Sequence, residues 1–377
     1  MQIASGCSEA RPPAALRCRQ AFEGICVHAN GDVVCSIIDG RGDFPLGNVQ
    51  TQSLGAILSG PRCSELLSLV LATRDSYCRA IGKPCPLKVE QVRACGSLAR
   101  GPIRFLEIEP TTACNLRCLA CLARDFDTSI GWRDGLRDGG LSFALWDGAR
   151  RLKHYLADVL RPLAPQGTIA GASRLGRAAA MLRRGSIRPG RTGCLSPETI
   201  RRVVAEAGPA VERVHFFGYG EPFLYPHLVA ALRHVRSALP AASIVLSTNG
   251  MYVEPPVEEA LIREHLVDWL VFSIDGADAD SYCKYRIRGE FRTAMQNLIR
   301  VHAKARETRL HVMWQYVVFR WNDSDATLRG ALALAERLEI PIWFDFARST
   351  WGRSRRKARD VEFLTPYLRS DSRLPGC

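Results

Sequence analysis

No apolar run in this 377-residue chain is long enough to cross a membrane as a helix. The opening Met1-Gln-Ile-Ala-Ser-Gly lacks the hydrophobic stretch of a secretion signal. A spanning helix is excluded, and a cytoplasmic location is expected. Negative charge is in short supply: 38 Asp and Glu stand against 51 Lys and Arg, for a formal net charge of +13. Beyond that charge the chain holds no nucleic-acid-binding motif, which makes nucleic acid a minor expectation. Cysteine, by contrast, is abundant. Fourteen thiols in a cytosolic chain point away from disulfides and towards metal. The length exceeds what one core organises, so two domains are expected, and a hydrophobic fraction of 47% supplies their cores.

Three thiols, Cys114, Cys118 and Cys121, fall within eight residues in Glu109-Pro-Thr-Thr-Ala-Cys-Asn-Leu-Arg-Cys-Leu-Ala-Cys121. They follow directly on a strand-like run of Ile103, Phe105, Leu106 and Ile108. A structural zinc site takes four protein ligands, usually as two separated Cys-x-x-Cys knuckles. This loop offers three, which suits three irons of a [4Fe-4S] cluster whose fourth iron stays open for chemistry. A zinc loop and three unrelated thiols are the competing readings. Further on, Val211-Glu-Arg-Val-His-Phe-Phe-Gly-Tyr-Gly-Glu-Pro222 reads as a strand running into a turn.

Taken together, the cysteine loop and this turn resemble the radical S-adenosylmethionine (SAM) enzymes, whose Gly-Gly-Glu-Pro motif aligns here with Tyr219 in place of a second glycine. The resemblance implies that the open iron chelates SAM and that an electron from the cluster cleaves it to a 5'-deoxyadenosyl radical. It assigns Gly220 and Glu221 to the amino end of SAM. Glycine lets the backbone approach a ligand, and a carboxylate accepts hydrogen bonds from an ammonium group. Taken alone, the turn reads more readily as an ordinary strand-to-loop turn with a solvated glutamate. Three more runs fit the same template: Ser243-Ile-Val-Leu-Ser-Thr-Asn-Gly250, Trp269-Leu-Val-Phe-Ser-Ile-Asp-Gly276 and the strand from Arg309 to Asn322. By the resemblance, Ser247 and Ser273 contact the ribose, Asn249 lies beside them, and the backbone at Val318 follows the adenine. Arg286 matches an arginine that contacts the SAM carboxylate; an exposed helix ion pair is the alternative. A serine at a strand end also serves as an ordinary turn or cap residue.

Helical segments separate these strands. Ser196-Pro-Glu-Thr starts one, with serine as N-cap and proline in the first turn. Ala279 to Val301 carries another, with Met295, Leu298 and Val301 at core spacing. Alternating strand, loop and helix imply parallel strands joined by crossover helices. The expected fold is α/β, a partial (β/α)6 barrel of TIM type with its site at the C-terminal ends of the strands.

Cys18, Gly31 and Cys35, followed by Leu46-Gly-Asn-Val49 and by Cys78 and Cys85, form a pattern similar to a SPASM domain, the auxiliary-cluster module of many radical SAM enzymes. The resemblance implies a second [4Fe-4S] cluster on Cys18, Cys35, Cys78 and Cys85, with Cys26, Cys63 and Cys95 in reserve. A zinc-stapled or merely thiol-rich domain is the other reading. Here the module precedes the barrel, whereas it usually follows. Arg373-Leu-Pro-Gly-Cys377 is similar to the entry into such a module, so Cys377 is a further candidate ligand, against a frayed terminal thiol. The expected organisation is a SPASM-like module over 1–99, a barrel over 100–350 and a tail over 351–377.

Residues 123–195 form an insertion in that barrel. From Ala123 to Gly193 it carries thirteen Lys and Arg against six Asp and Glu. Leu145, Ala149, Leu152, Leu156, Val159 and Leu163 recur at helical spacing among basic residues. A lid over the barrel mouth is the leading reading, ahead of a membrane-surface helix or a patch for nucleic acid or an acidic substrate.

The function expected from the resemblance is hydrogen abstraction from a carbohydrate or other small metabolite, with an electron donor such as flavodoxin or ferredoxin as partner. Modification of a peptide or protein is the near alternative, ranked second because no leader-binding winged-helix segment is present. A non-catalytic iron-sulfur or zinc protein that binds nucleic acid is the third. Cys283 and Cys194 are thiols able to return a hydrogen to a substrate radical, or else inert cysteines.

Overall fold

A computed structural model describes residues 16–17, 19–42, 44–72, 90–91, 100–119, 121, 191–347 and 352–368, with Leu141, Ala144, Leu145, Ala149 and Leu152. The strands are β1 (Leu16–Arg17), β2 (Gly24–Val27), β3 (Asp32–Val34), β4 (Gly47–Asn48), β5 (Glu90–Gln91), β6 (Phe105–Ile108), β7 (Arg213–Phe216), β8 (Ser243–Thr248), β9 (Trp269–Ser273), β10 (His311–Val318) and β11 (Ile342–Phe346). The helices are α1 (Arg19–Glu23), α2 (Leu54–Ser59), α3 (Pro61–Ala72), α4 (Pro197–Ala207), α5 (Leu228–Ala238), α6 (Pro255–Arg263), α7 (Ala279–Cys283), α8 (Phe291–Ala305) and α9 (Asp325–Arg337).

Strands β6 to β11 lie parallel and side by side in chain order, with helices in the connections. They are the six strands of the expected partial barrel, in an open sheet that ends at β11 on one side and β4 on the other. Period-two patterning builds them. Along β10, Val312, Trp314, Tyr316 and Val318 are buried in the large core under the helices. Met313, Gln315 and Val317 alternate to the other, inner face, where Val245, Trp269, Val271 and Trp343 form a second small cluster with Phe217 and Met313. Helix starts follow local chemistry. Ser196 Oγ accepts from Thr199 N at 3.1 Å with Pro197 in the first turn of α4, and Ser324 caps α9 in the same way.

Three features depart from the sequence expectation. First, the segment from Ala279 to Val301 is two helices. Arg288 takes a positive φ of 69°, and Glu290 caps α8 by accepting from Thr293 N. The turn between them turns backbone carbonyls and Arg286 towards the cysteine loop.

Second, the N-terminal region joins the barrel's own sheet. β2 pairs in parallel with β6, from Gly24↔Phe105 to Val27↔Ile108, and β3 and β4 follow antiparallel. Without β2, β6 would present an edge of unpaired backbone groups; β2, buried along its length, covers it. Third, residues 352–368 pack back on the barrel through the bridges Phe319↔Arg353 and Phe344↔Leu368, with Val361 and Leu364 buried in the core.

Cys18, Cys78, Cys85, Cys95 and Cys377 lie outside the described residues, as does most of the insertion. Of its helical stripe, Leu145, Ala149 and Leu152 are described and exposed, as is nearby Leu141. Among the described residues no helix is long and apolar enough to cross a membrane.

Candidate active site

β6 delivers the chain through Glu109 and Pro110 into the cysteine loop, at the C-terminal edge of the sheet. Backbone hydrogen bonds hold that loop from three directions. On the returning end of the insertion, Gly193 O accepts from Thr112 N (3.0 Å) and Leu195 N donates to Pro110 O (2.9 Å). In the turn between α7 and α8, Ile287 O accepts from Arg117 N (3.0 Å) and Tyr285 O from Leu119 N (3.2 Å). From the Gly-Glu-Pro turn, Glu221 N donates to Ala113 O (2.8 Å). A β-carbon on Gly220 would overlap the Thr111 carbonyl. The close approach that requires glycine there is to the cysteine loop itself.

Glu221 is 2% exposed. Its carboxylate accepts from Thr248 Oγ1 (2.8 Å), Asn249 N (2.7 Å) and Phe223 N (3.2 Å). Burial raises its pKa above the ordinary carboxylate range, and these bonds oppose the shift. A carboxylate offers about four lone-pair sites, so capacity remains for an ammonium group.

Asn249 and Arg286 bring N–H groups to two of the cysteine sulfurs. Asn249 Nδ2 lies 3.9 Å from Cys114 Sγ and 2.8 Å from Asn115 Oδ1. Arg286 Nη1 lies 4.0 Å from Cys118 Sγ, while its Nε donates to Asp275 Oδ2 at 2.7 Å. Asp275 is fully buried and also accepts from Val317 N at 2.9 Å. Asn322 completes the arrangement by donating to the carbonyls of Asp275 (3.0 Å) and Val317 (3.1 Å).

Burial pushes the Cys114 and Cys118 thiols up to about 12, with Arg286 pulling Cys118 the other way. Both are neutral at pH 7 until a metal displaces the proton. Three thiols outside any disulfide, with N–H donors near two of the sulfurs, are a donor set that fits a cluster. Among the described residues no three His, Cys, Asp or Glu side chains close on a single metal ion. Cluster thiolates each hold a different iron, so their sulfurs stand farther apart than the ligands of one ion.

Ser247 and Ser273 meet on the inner face, Oγ to Oγ at 3.3 Å, and Ser273 Oγ donates to Gln315 Oε1 at 3.1 Å. Gln315 escaped the sequence reading, although its inward register on β10 was legible. Val318 is fully buried in the outer core, and its carbonyl accepts from Ala347 N at 3.0 Å. Val317 is the neighbour that faces inward. Cys283 is exposed at the end of α7, with its Sγ 3.7 Å from Gly289 O. Cys194 is exposed in a bridge to Thr111. In the N-terminal region Cys26 is buried on β2, and Cys35 is half-buried after β3. Cys63 is buried on α3, with Arg100 Nη1 at 3.9 Å.

A buried ion pair that no motif announced ties these parts together. Glu109 and Arg191 pair at 2.5 Å with both side chains at 0% exposure. Glu109 Oε2 also accepts from Ala29 N (3.0 Å) and Oε1 from Tyr219 N (2.9 Å), while Arg191 Nε donates to Gly40 O (2.9 Å). The Tyr219 ring lies on Gly40, where a β-carbon would overlap it, and its hydroxyl donates to Ile37 O at 3.3 Å. The tyrosine that stands where the motif usually has glycine is the contact between the turn and the N-terminal module. Tyr219→Phe is expected to cost about 1 kcal/mol in urea unfolding; unchanged stability would show that the hydroxyl contributes nothing.

Residues 108–329 match the model of the Radical SAM superfamily, and residues 18–86 match SPASM, an iron-sulfur cluster-binding domain. No curated protein matches the chain significantly. Among solved structures it is similar to a radical SAM methyltransferase from Sphaerobacter thermophilus (21% identity over 51% of this chain and 57% of that one, TM-score 0.37). It is also similar to TYW1 with a lysine-pyruvate adduct bound (12% identity, 68% and 70%, TM-score 0.36) and to anSMEcpe with bound AdoMet and Cp18Cys peptide (18% identity, 40% and 43%, TM-score 0.31). The chain spans 52% of an archaeal TYW1 structure. The two family models together imply [4Fe-4S] clusters and SAM as cofactors. Because the first of them covers more than half of the sequence and contains the cysteine loop, the Gly-Glu-Pro turn and strands β7 to β10, this chain belongs to the radical SAM superfamily.

Proposed function

We propose that the chain cleaves SAM reductively at a cluster held by Cys114, Cys118 and Cys121, and abstracts hydrogen from a carbohydrate or other small metabolite bound against the inner face of the sheet. The observation that carries this reading is the convergence of Glu221, Asn249 and Arg286, from three separate turns, on one cysteine loop. When bound, the reduced cluster supplies the electron that splits SAM into methionine and a 5'-deoxyadenosyl radical. Glu221 takes the amino group of SAM with its remaining acceptor capacity, and Arg286, oriented by Asp275, meets the carboxylate. Ser247 and Ser273 present hydroxyls to the ribose. Phe217, Val271, Met313 and Trp343 give the inner face an apolar floor that keeps water from the reacting groups.

The half-buried thiol of Cys35, outside any disulfide, supports an auxiliary cluster in the SPASM-like module. Reduced thiols and clusters suit the cytoplasm. A peptide or protein is the second substrate class. The test is anaerobic reconstitution with iron and sulfide, then dithionite and SAM, scoring 5'-deoxyadenosine. None from a fully loaded chain would refute the reading. Deuterium appearing in deoxyadenosine from a perdeuterated peptide pool, and not from a sugar pool, would shift the substrate to the second class.

A further inference from the structure

Residues 352–357 follow β11 as an irregular segment bridged to Phe319 through Arg353, and a 3-10 turn begins at Ala358. Gly352 and Ser354 face inward and are buried, while Arg353, Arg355, Lys357 and Arg359 are exposed. Arg320, exposed as well, joins them through its N–H bond to Gly352 O (2.8 Å). Of the acidic residues nearby, Asp325 pairs with Arg356 (2.6 Å), and Asp360 lies 3.8 Å from the exposed Arg359 on the surface. The result is a cationic ridge along one rim of the sheet, whose Arg353, Arg355 and Lys357 border a cleft that reaches Phe346 and Ala347.

Behind the ridge stands a column of aromatic rings. Trp321 packs on Gly352. Its ring stacks on Phe319 at 4.8 Å with 8° between planes, and Phe319 lies 4.3 Å from Tyr285. Tyr285 carries the carbonyl that accepts from Leu119 N, inside the cysteine loop, and precedes Arg286 at Cys118. A continuous path of ring contacts therefore links the outer cationic surface to the loop that needs one electron per SAM cleaved.

We propose that the ridge formed by Arg353, Arg355 and Lys357 docks an acidic one-electron carrier protein, and that the column of Trp321, Phe319 and Tyr285 lies between the docked donor and the cysteine loop. This rests on the radical SAM reading above. In the step, the carrier loses one electron and the cluster on Cys114, Cys118 and Cys121 gains it. No bond forms or breaks, and no proton moves. Charge complementarity selects the partner: a ridge of like charge speeds encounter with an anionic protein face and makes it salt-sensitive. The same side chains also line the cleft against Phe346 and Ala347, so an equal loss with both reductants would assign them to a small anionic substrate instead.

The test compares the wild-type chain with R353E/R355E/K357E, and with the single variant R355E as a check on folding, using two reductants. One is reduced flavodoxin, an acidic carrier; the other is dithionite. Cluster bleaching and deoxyadenosine formation are followed with each, and binding of flavodoxin to the cluster-free chain is followed by interferometry at low and high salt. Expected for the triple variant is a loss on the order of tenfold or more in flavodoxin-driven reduction and loss of salt-sensitive binding, with dithionite-driven rates unchanged. R355E should show a smaller loss in the same direction.

Flavodoxin-driven rates equal to wild type, or equal losses with both reductants, would overturn the proposal. So would loss of RNA or anionic-vesicle binding in the triple variant with electron delivery intact, since the ridge would then serve that partner. If dithionite yields no deoxyadenosine from wild type, the radical SAM assignment of this site fails instead, and the two failures stay distinct.

Discussion

Changing Cys114, Cys118 and Cys121 together to alanine is expected to abolish 5'-deoxyadenosine formation and to remove about four irons per chain, leaving about four if the SPASM-like module holds its own cluster. The effect is total because no other described residue can substitute. The loop's backbone is fixed by bonds to Ala113, Leu119 and Arg117 that do not involve the thiols. The triple variant should therefore fold and bind no SAM-cleaving iron. Burial keeps Cys114 and Cys118 protonated without metal, so iron loading should release protons and strengthen as pH rises. Iron analysis with deoxyadenosine assay, on wild type and variant side by side, checks the prediction. Undiminished deoxyadenosine in the variant would remove these cysteines from the site, and zinc in place of iron after purification would favour the binding-protein reading.

The second large effect falls on folding. Arg191→Met should destabilise the protein by about 3–5 kcal/mol, because it leaves Glu109 as a buried charge without its partner. Glu109→Gln should cost a comparable amount, since Arg191 is then the unmatched ion. The pair is fully enclosed, so solvent cannot compensate either loss. A double variant should cost less than the sum of the two singles, and the difference measures the coupling. Urea unfolding of the four proteins reads it. Additive losses would mean that the two side chains act independently. Because Glu109 also accepts from Ala29 and Tyr219, Glu109→Gln should loosen the N-terminal strands from the Gly-Glu-Pro turn, seen as faster proteolysis within residues 24–48. Proteolysis unchanged from wild type would confine the effect to global stability.

Much of the site was legible because its pieces are local. The cysteine spacing, the Gly-Glu-Pro turn and the strand-end residues each occupy fewer than a dozen consecutive positions. Strand and helix follow from period and capping, as at Ser196 and along β10. The helix break before Glu290 was harder to see: its apolar spacing continues a helical pattern, and only contacts with the cysteine loop favour the turn at Tyr285 to Gly289. Side-chain facing along β10 shows the same limit at the scale of one residue: periodicity separates Val317 from Val318, but which face is covered by helices depends on the whole sheet.

Residue order alone settled the chemistry on offer and the strand-helix alternation, since thiol spacing, turn residues and hydrophobic period are properties of neighbours along the chain. Assembly in three dimensions decided the rest. It set β2 against β6 and paired Glu109 with Arg191 across 82 positions. It also laid Tyr219 on Gly40. A buried charge or a bare strand edge is costly only once water has been excluded. The partner that relieves the cost is whichever group the packed core brings there, and no local pattern records its place in the chain.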